Sequence, residues 1–130
     1  MTIILGQRSL TRLEGVHPDL IRVVKRAAAI SNLDFTVLEG LRTLERQKQL
    51  KAQGATKTMK SRHLNGHAVD LAPMLDGKVS WDWPLYARLA KIVKAAAAAE
   101  NVPITWGGDW RTFKDGPHWE LPWAQYPERN

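Results

Sequence analysis

The 130-residue chain contains no cysteine, and this absence limits both how the chain can fold and which chemistry it can perform. Without disulfide bonds, the fold must rely on a buried apolar core. Apolar residues make up 44% of the sequence and charged residues 25%, a composition typical of globular proteins and unlike that of disordered chains. The length is that of one domain, so we expect a single domain spanning residues 1–130.

Helix-forming and strand-forming patterns alternate along the chain. Apolar spacing and capping residues predict three helices, at 18–30, 43–53 and 84–100. Short apolar or alternating segments predict four strands, at 35–38, 68–72, 102–106 and 118–121. The basic segment 55–65 has little apolar periodicity and is expected to be a loop. This mixture of elements indicates an α+β fold.

The chain is strongly basic. Lysine and arginine total 19 against 13 acidic residues, which gives a net charge of +6. Such a charge favours an anionic partner, whether nucleic acid, an acidic membrane or the bacterial cell wall, although it also serves solubility alone. The basic residues are spread over predicted helix faces and no nucleic-acid-binding motif accompanies them, so we expect no nucleic-acid partner.

The amino-terminal region contains only one short apolar run, Ile3-Ile4-Leu5, before Arg8 and Arg12. This run is too short for the core of a signal peptide or for a membrane span. We therefore expect no signal peptide, no stable membrane insertion and synthesis in the cytoplasm.

Two histidine-containing segments can supply a metal site without cysteine. His63 ends the basic loop, Asp70 lies on the strand that follows, and His118 begins the last predicted strand. A catalytic zinc site needs three protein ligands and one open position. If the two strands are neighbours, Asp70 and His118 converge, and a turn at Gly66 can bring His63 back towards them.

Simpler roles are open for the same residues. A single histidine in a small domain is more often an ordinary hydrogen-bonded or surface residue than a metal ligand, and we assign that ordinary role to His17. Asp70 can equally be a buried carboxylate paired with an arginine. Spacing alone does not decide between these roles and a zinc site.

Two carboxylates can accept a proton from water at such a site. Asp115 lies in a turn just before His118, whereas Glu120 lies further along the face of the strand itself. We prefer Asp115 as the general base, because a loop side chain can lean over the open position, and keep Glu120 as the alternative. Arg42 can stabilise an oxyanion or bind a substrate carboxylate, or it can cap a helix or pair with Glu39.

The chain resembles the zinc D-Ala-D-Ala carboxypeptidase and L-alanyl-D-glutamate endopeptidase family of bacterial cell-wall hydrolases, and it is most similar to the phage endolysin branch. The similarity rests on two ordered motifs, Ser61-x-His63-x-x-Gly66-x-Ala68-x-Asp70 and Asp115-x-x-His118-Trp119. It extends over most of the chain. The resemblance implies a compact α+β fold with a small antiparallel sheet flanked by about three helices, shared with D,D-peptidases and the hedgehog signalling domain.

The resemblance also implies roles for individual residues. The family's zinc ligands correspond to His63, Asp70 and His118. Its catalytic base corresponds to Asp115, and its transition-state arginine corresponds to Arg42.

Three further residues are candidate substrate contacts. Ser61 matches a serine that lies near the substrate in the family, His67 lies inside the first motif next to Gly66, and Trp119 is the last residue of the second motif. The expected substrate is the stem peptide of peptidoglycan.

The phage branch implies a zinc endopeptidase that hydrolyses the L-Ala-D-Glu bond of the stem peptide and lyses the bacterial host. The carboxypeptidase branch usually has Glu where this chain has Asp115, which disfavours cleavage of D-Ala-D-Ala ends. The alternatives are a D,D-carboxypeptidase or dipeptidase and a non-catalytic peptidoglycan-binding relative. We expect a monomer without a separate wall-binding module, made in the host cytoplasm and acting on the cell wall after the membrane is permeabilised.

Overall fold

The computed structural model describes residues 3–54, 61–112 and 114–127. The α-helices within these residues are α1 Gln7–Arg12, α2 Pro18–Ile30, α3 Leu44–Ala52 and α4 Trp83–Ala99. The strands are β1 Phe35–Glu39, β2 Ala68–Leu75, β3 Lys78–Val79, β4 Thr105–Trp106 and β5 His118–Glu120. Two short 3₁₀-helices span Arg62–Asn65 and Gly107–Asp109. In this part of the chain, no helix is long and apolar enough to cross a membrane.

The strands form one antiparallel sheet in the order β1-β2-β5-β4, with β3 paired to the end of β2. Asp70 on β2 lies opposite His118 on β5. A shift in register after Val37 brings Glu39 of β1 opposite Asp70 as well. Such bulges often redirect side chains beside active sites. The predicted α+β fold with a small antiparallel sheet is confirmed.

The face of the sheet opposite the Asp70 side chain carries the apolar core. There α4 packs against β2, and α2 packs against α4. Leu20 and Val24 of α2 and Leu71 of β2 are fully buried, as their spacing predicts. Ala96 and Ala97 near the end of α4 are also buried, because small side chains allow two helices to approach closely.

Four parts of the fold differ from the sequence prediction. The sequence does not predict α1, because this helix buries only Ser9 and therefore has no apolar stripe. The expected loop 55–65 ends in the 3₁₀-helix Arg62–Asn65, while residues 55–60 lie outside the described part of the chain. β2 continues to Leu75 and forms a hairpin with β3, whereas β4 is shorter than predicted and begins at Thr105.

A buried arginine fastens the segment after β5 to the first 3₁₀-helix. Arg62 is 2% exposed, and its Nη2 donates to the carbonyl oxygens of Leu121 at 2.8 Å and Tyr126 at 2.6 Å. Its guanidinium group also lies 4.1 Å from the centre of a Trp123 ring. Hydrogen bonds from a charged donor are stronger than neutral ones, so Arg62 holds the segment after β5 firmly against the first 3₁₀-helix.

We expect Gly66→Ala to destabilise the protein more than Gly77→Ala. Both glycines have a left-handed backbone, with φ of 75° and 77°. A β-carbon at Gly66 would lie 2.4 Å from the carbonyl oxygen of Gly15, whereas Gly77 has open space around it. The free energy of unfolding should fall by roughly 3–4 kcal/mol for Gly66→Ala and by about 1 kcal/mol for Gly77→Ala. Urea denaturation measures both, and equal losses would contradict the steric explanation.

Candidate active site

Three side chains from different parts of the chain converge on the face of the sheet opposite the core. His63 comes from the first 3₁₀-helix, Asp70 from β2 and His118 from β5. Nε2 of His63 lies 3.2 Å from Oδ1 of Asp70, and Nδ1 of His118 lies 3.4 Å from the same oxygen. The three potential ligand atoms all lie within 4.8 Å of one another. The structure thus brings together the residues that the sequence predicts as metal ligands.

Each histidine of this cluster uses its second ring nitrogen to bind the protein. Nδ1 of His63 lies 2.8 Å from the carbonyl oxygen of Gly40, which can only accept, so this nitrogen carries a proton. Nε2 of His118 lies 2.8 Å from the carboxylate of Glu120 and donates to it in the same way. These bonds fix the orientation of both rings and direct Nε2 of His63 and Nδ1 of His118 towards Asp70.

The spacing of the ligand atoms fits a divalent metal ion. Two ligand atoms of a tetrahedral zinc site with bonds of about 2.05 Å lie about 3.3 Å apart. The separations of 3.2 and 3.4 Å from Oδ1 of Asp70 to the two histidine nitrogens match that value, and the two nitrogens lie within 4.8 Å of each other. Two imidazoles and a carboxylate suit zinc and several other first-row divalent ions. The cluster can therefore hold a metal ion.

The electrostatics of the cluster keep Asp70 ionised. Although burial favours the neutral acid, hydrogen bonds from His118 and His63 hold the pKa of the Asp70 carboxyl group well below its usual range. Burial also lowers the pKa of His118, but its bonds to Asp70 and Glu120 outweigh burial and raise that pKa to about 9. His118 is therefore protonated at neutral pH without a metal, and a metal that binds Nδ1 must displace that proton.

Asp115 lies beside the cluster without belonging to it. Its backbone N–H donates to the carbonyl oxygen of Gly107 at 3.1 Å, and the backbone N–H of His118 donates to the Asp115 carbonyl oxygen at 3.2 Å. Partial burial and the charge of Asp70 raise the pKa of the Asp115 carboxyl group. A carboxyl group with a raised pKa next to a metal-ligand set is suited to accept and return a proton.

Arg42 lies in a hydrogen-bonded network at the edge of the same site. Its Nε donates to Glu39 of β1, and its Nη1 donates to Oε1 of Gln47 at 2.8 Å and to Oγ of Ser61 at 3.4 Å. The charge of Arg42 reaches Asp115 and lowers the pKa of its carboxyl group in part. The pairing with Glu39 that the sequence left open is therefore present, and it orients the guanidinium group at the site.

The three predicted substrate contacts lie in different surroundings. Ser61 accepts the backbone N–H of His63 at 3.2 Å and, through its bond to Arg42, lies at the site. His67 is 7% exposed, and its ring lies 5.4 Å from that of His17. Trp119 is 1% exposed, because the alternation that places His118 on the site face places Trp119 in the core. Its ring does not face the metal-ligand cluster.

Two residues of the site have functions that the sequence did not indicate. Gln47 is fully buried in the otherwise polar helix α3, and a single buried polar residue leaves no periodic signal. The sequence indicates Glu120 only as an alternative base, whereas in the structure its carboxylate accepts a hydrogen bond from His118 and orients that ring. The sequence signal for that function is that His118 and Glu120 lie two residues apart on a strand, which places both side chains on one face.

We expect Glu120→Ala to weaken Zn²⁺ binding by about 10- to 100-fold, because His118 loses the partner that holds its ring in place. Glu120→Gln keeps an acceptor oxygen and should lose less. Competition with a chelator of known affinity measures both, with His63→Ala as the reference for loss of a ligand. Unchanged affinity in Glu120→Ala would show that Glu120 has no orienting function.

Comparisons with known proteins identify the family to which the chain is similar. Residues 1–121 match the family model described as phage L-alanyl-D-glutamate peptidase. The L-alanyl-D-glutamate peptidase of Escherichia phage T5 is 32% identical over 119 residues, which cover 88% of this chain and 87% of the relative. The peptidoglycan L-alanyl-D-glutamate endopeptidase CwlK of Bacillus subtilis is 32% identical over 111 residues, covering 75% of this chain and 66% of the relative.

A solved structure agrees with this assignment. The Serratia marcescens L-Ala D-Glu endopeptidase ChiX is 47% identical and superposes with a TM-score of 0.89, covering 94% of this chain and 92% of that one. The chain belongs to the phage L-alanyl-D-glutamate peptidase family.

Proposed function

We propose that the chain is a zinc-dependent endolysin that hydrolyses the L-Ala-D-Glu amide bond of the peptidoglycan stem peptide and so lyses its bacterial host. The observation that supports this most is the convergence of His63, Asp70 and His118 in a member of this family. The adjoining Asp115 and Arg42 complete the set of groups that metal-assisted hydrolysis of an amide requires.

The metal-ligand cluster would hold the zinc ion through Nε2 of His63, the carboxylate of Asp70 and Nδ1 of His118. When bound, zinc would act as a Lewis acid that polarises the scissile carbonyl and lowers the pKa of a water molecule to about 7. Glu120 and the carbonyl group of Gly40 keep the two imidazole rings in the orientation that this requires.

Proton transfer is assigned to Asp115. Its carboxylate takes the proton of the attacking water and returns it to the amine of the departing D-Glu residue. Arg42, oriented by Glu39 and Gln47, stabilises the negative charge that develops on the carbonyl oxygen. The alternative for Arg42 is binding of a substrate carboxylate, for which the fixed geometry of a guanidinium group is equally suited.

The choice of bond rests on two observations. Asp115 has a shorter side chain than the Glu that the carboxypeptidase branch uses, and the named relatives are L-Ala-D-Glu peptidases. Both favour endopeptidase activity over cleavage of D-Ala-D-Ala ends. A non-catalytic relative is disfavoured because the chain retains Asp115 beside the metal ligands.

The net charge of +6 would attract the protein to the anionic cell envelope. We further propose that it acts as a monomer and reaches the peptidoglycan from the host cytoplasm after the membrane is permeabilised.

We expect Asp115→Ala to lower turnover of peptidoglycan by about 10²- to 10⁴-fold while one zinc ion remains bound. The matched control is Asp109→Ala, because Asp109 is an exposed aspartate paired with Lys94 and its loss should leave turnover near the wild-type rate. Lysis of chloroform-treated Gram-negative cells and metal analysis measure the two properties. Near wild-type lysis by Asp115→Ala would show that another group is the base.

We expect digestion of purified peptidoglycan to release fragments with a new amino-terminal D-Glu, because cleavage of the L-Ala-D-Glu bond leaves the amine on that residue. Mass spectrometry of the fragments identifies the bond directly. Release of D-Ala alone would instead identify a D,D-carboxypeptidase.

A further inference from the structure

A pair of exposed indole rings, which we call the tryptophan platform, lies at the start of α4 and consists of Trp81 and Trp83. Trp81 is 68% exposed and Trp83 is 46% exposed. Adjacent exposed aromatic rings commonly mark a surface that binds a partner. Neither ring has a function in the metal-ligand cluster or in proton transfer.

The tryptophan platform adjoins the loop that carries Asp115. A β-carbon at Gly116 would lie 3.2 Å from Cδ1 of Tyr86 and 3.3 Å from Cζ3 of Trp83. Both rings therefore pack against the backbone immediately after Asp115. Tyr86 in turn stacks on Trp81, with ring centres 6.3 Å apart and an angle of 24° between the rings. The tryptophan platform is thus continuous with the rim of the proposed active site.

The core holds one ring of the platform in place. Trp83 stacks on Trp106 with ring centres 5.7 Å apart, and Trp106 stacks on Trp119 at 5.8 Å. Nε1 of Trp106 donates to the carbonyl oxygen of Gly116 at 2.7 Å. Because this stack is anchored in the core, the Trp83 ring does not have to become ordered when a ligand binds, which lowers the cost of binding.

An exposed carboxylate lies between the two rings in the sequence. Asp82 occupies the N-cap position of α4, yet its side chain makes no capping hydrogen bond. An aromatic face offers an apolar surface to the C–H groups of a sugar ring, and a carboxylate accepts hydrogen bonds from hydroxyl and amide groups. This combination suits a neutral N-acetylated sugar, whereas Asp82 would repel the carboxylates of the stem peptide.

We propose that the tryptophan platform binds the saccharide to which the stem peptide is attached. This inference rests on the proposed function, because in peptidoglycan the L-Ala before the scissile bond is joined to the lactyl group of N-acetylmuramic acid. One extended residue spans at most about 3.6 Å. The saccharide must therefore lie close to the reacting amide, as the tryptophan platform lies close to Asp115.

The test compares two substrates that share one stem peptide, using the zinc-loaded enzyme. In the first the amine of L-Ala is acetylated, and in the second it is joined to an N-acetylglucosamine-N-acetylmuramic acid disaccharide. Trp81→Ala should lower kcat/KM on the disaccharide substrate by about 10-fold and leave the acetylated peptide unchanged. Trp81→Phe keeps an aromatic ring and should lose less. Ile30→Ala removes another large exposed apolar side chain, 47% exposed at the end of α2, and serves as the control.

The possible results separate the two proposals. Equal losses on both substrates in Trp81→Ala, or no loss on either, would overturn the saccharide site and leave the proposed function intact. Wild-type enzyme that cleaves neither substrate at the L-Ala-D-Glu bond would overturn the proposed function, and the saccharide site with it.

Discussion

The candidate site depends on the antiparallel register of β2 and β5, which places Asp70 directly opposite His118. Side chains alternate between the faces of a strand, so a slip of one residue would turn His118 into the core and bring Trp119 to the site. The apolar core prevents that slip, because Trp119 is buried among the residues that hold the sheet to its helices. Packing on one face of the sheet therefore determines the chemistry on the other.

Packing also fixes the position of His63. The carbonyl oxygen of Gly40 accepts a hydrogen bond from Nδ1 of this histidine. A side chain at Gly40 is excluded, because a β-carbon there would lie 2.0 Å from the carbonyl oxygen of Arg12. One small residue thus allows α1 to approach the end of β1 and also fixes the orientation of a candidate metal ligand. The metal-ligand cluster is organised by the protein, so little rearrangement is needed when an ion binds.

Local signals predict those parts of the molecule that local interactions determine. Pro18 and the apolar spacing that follows it mark α2, and Thr43 caps α3 by accepting the backbone N–H of Arg46. The residues of the candidate metal site were predictable as a group because their types and order form a motif. The contact of Gln47 with Arg42 was not, since it joins a helix to a loop through tertiary packing. α1 was missed for the same reason, because Ser9 is held by a bond to Thr36 and not by an apolar stripe.

The position of β5 between β2 and β4 affects when the candidate metal site forms during folding. His63 and Asp70 are close in sequence, but their third partner lies on β5, near the other end of the chain, and β5 must pair with β2 before the three side chains meet. Pairing between distant segments forms late, because it requires closure of a long loop. A metal ion could bind through all three side chains only after this pairing, and its binding energy would then help to keep the last strand in place.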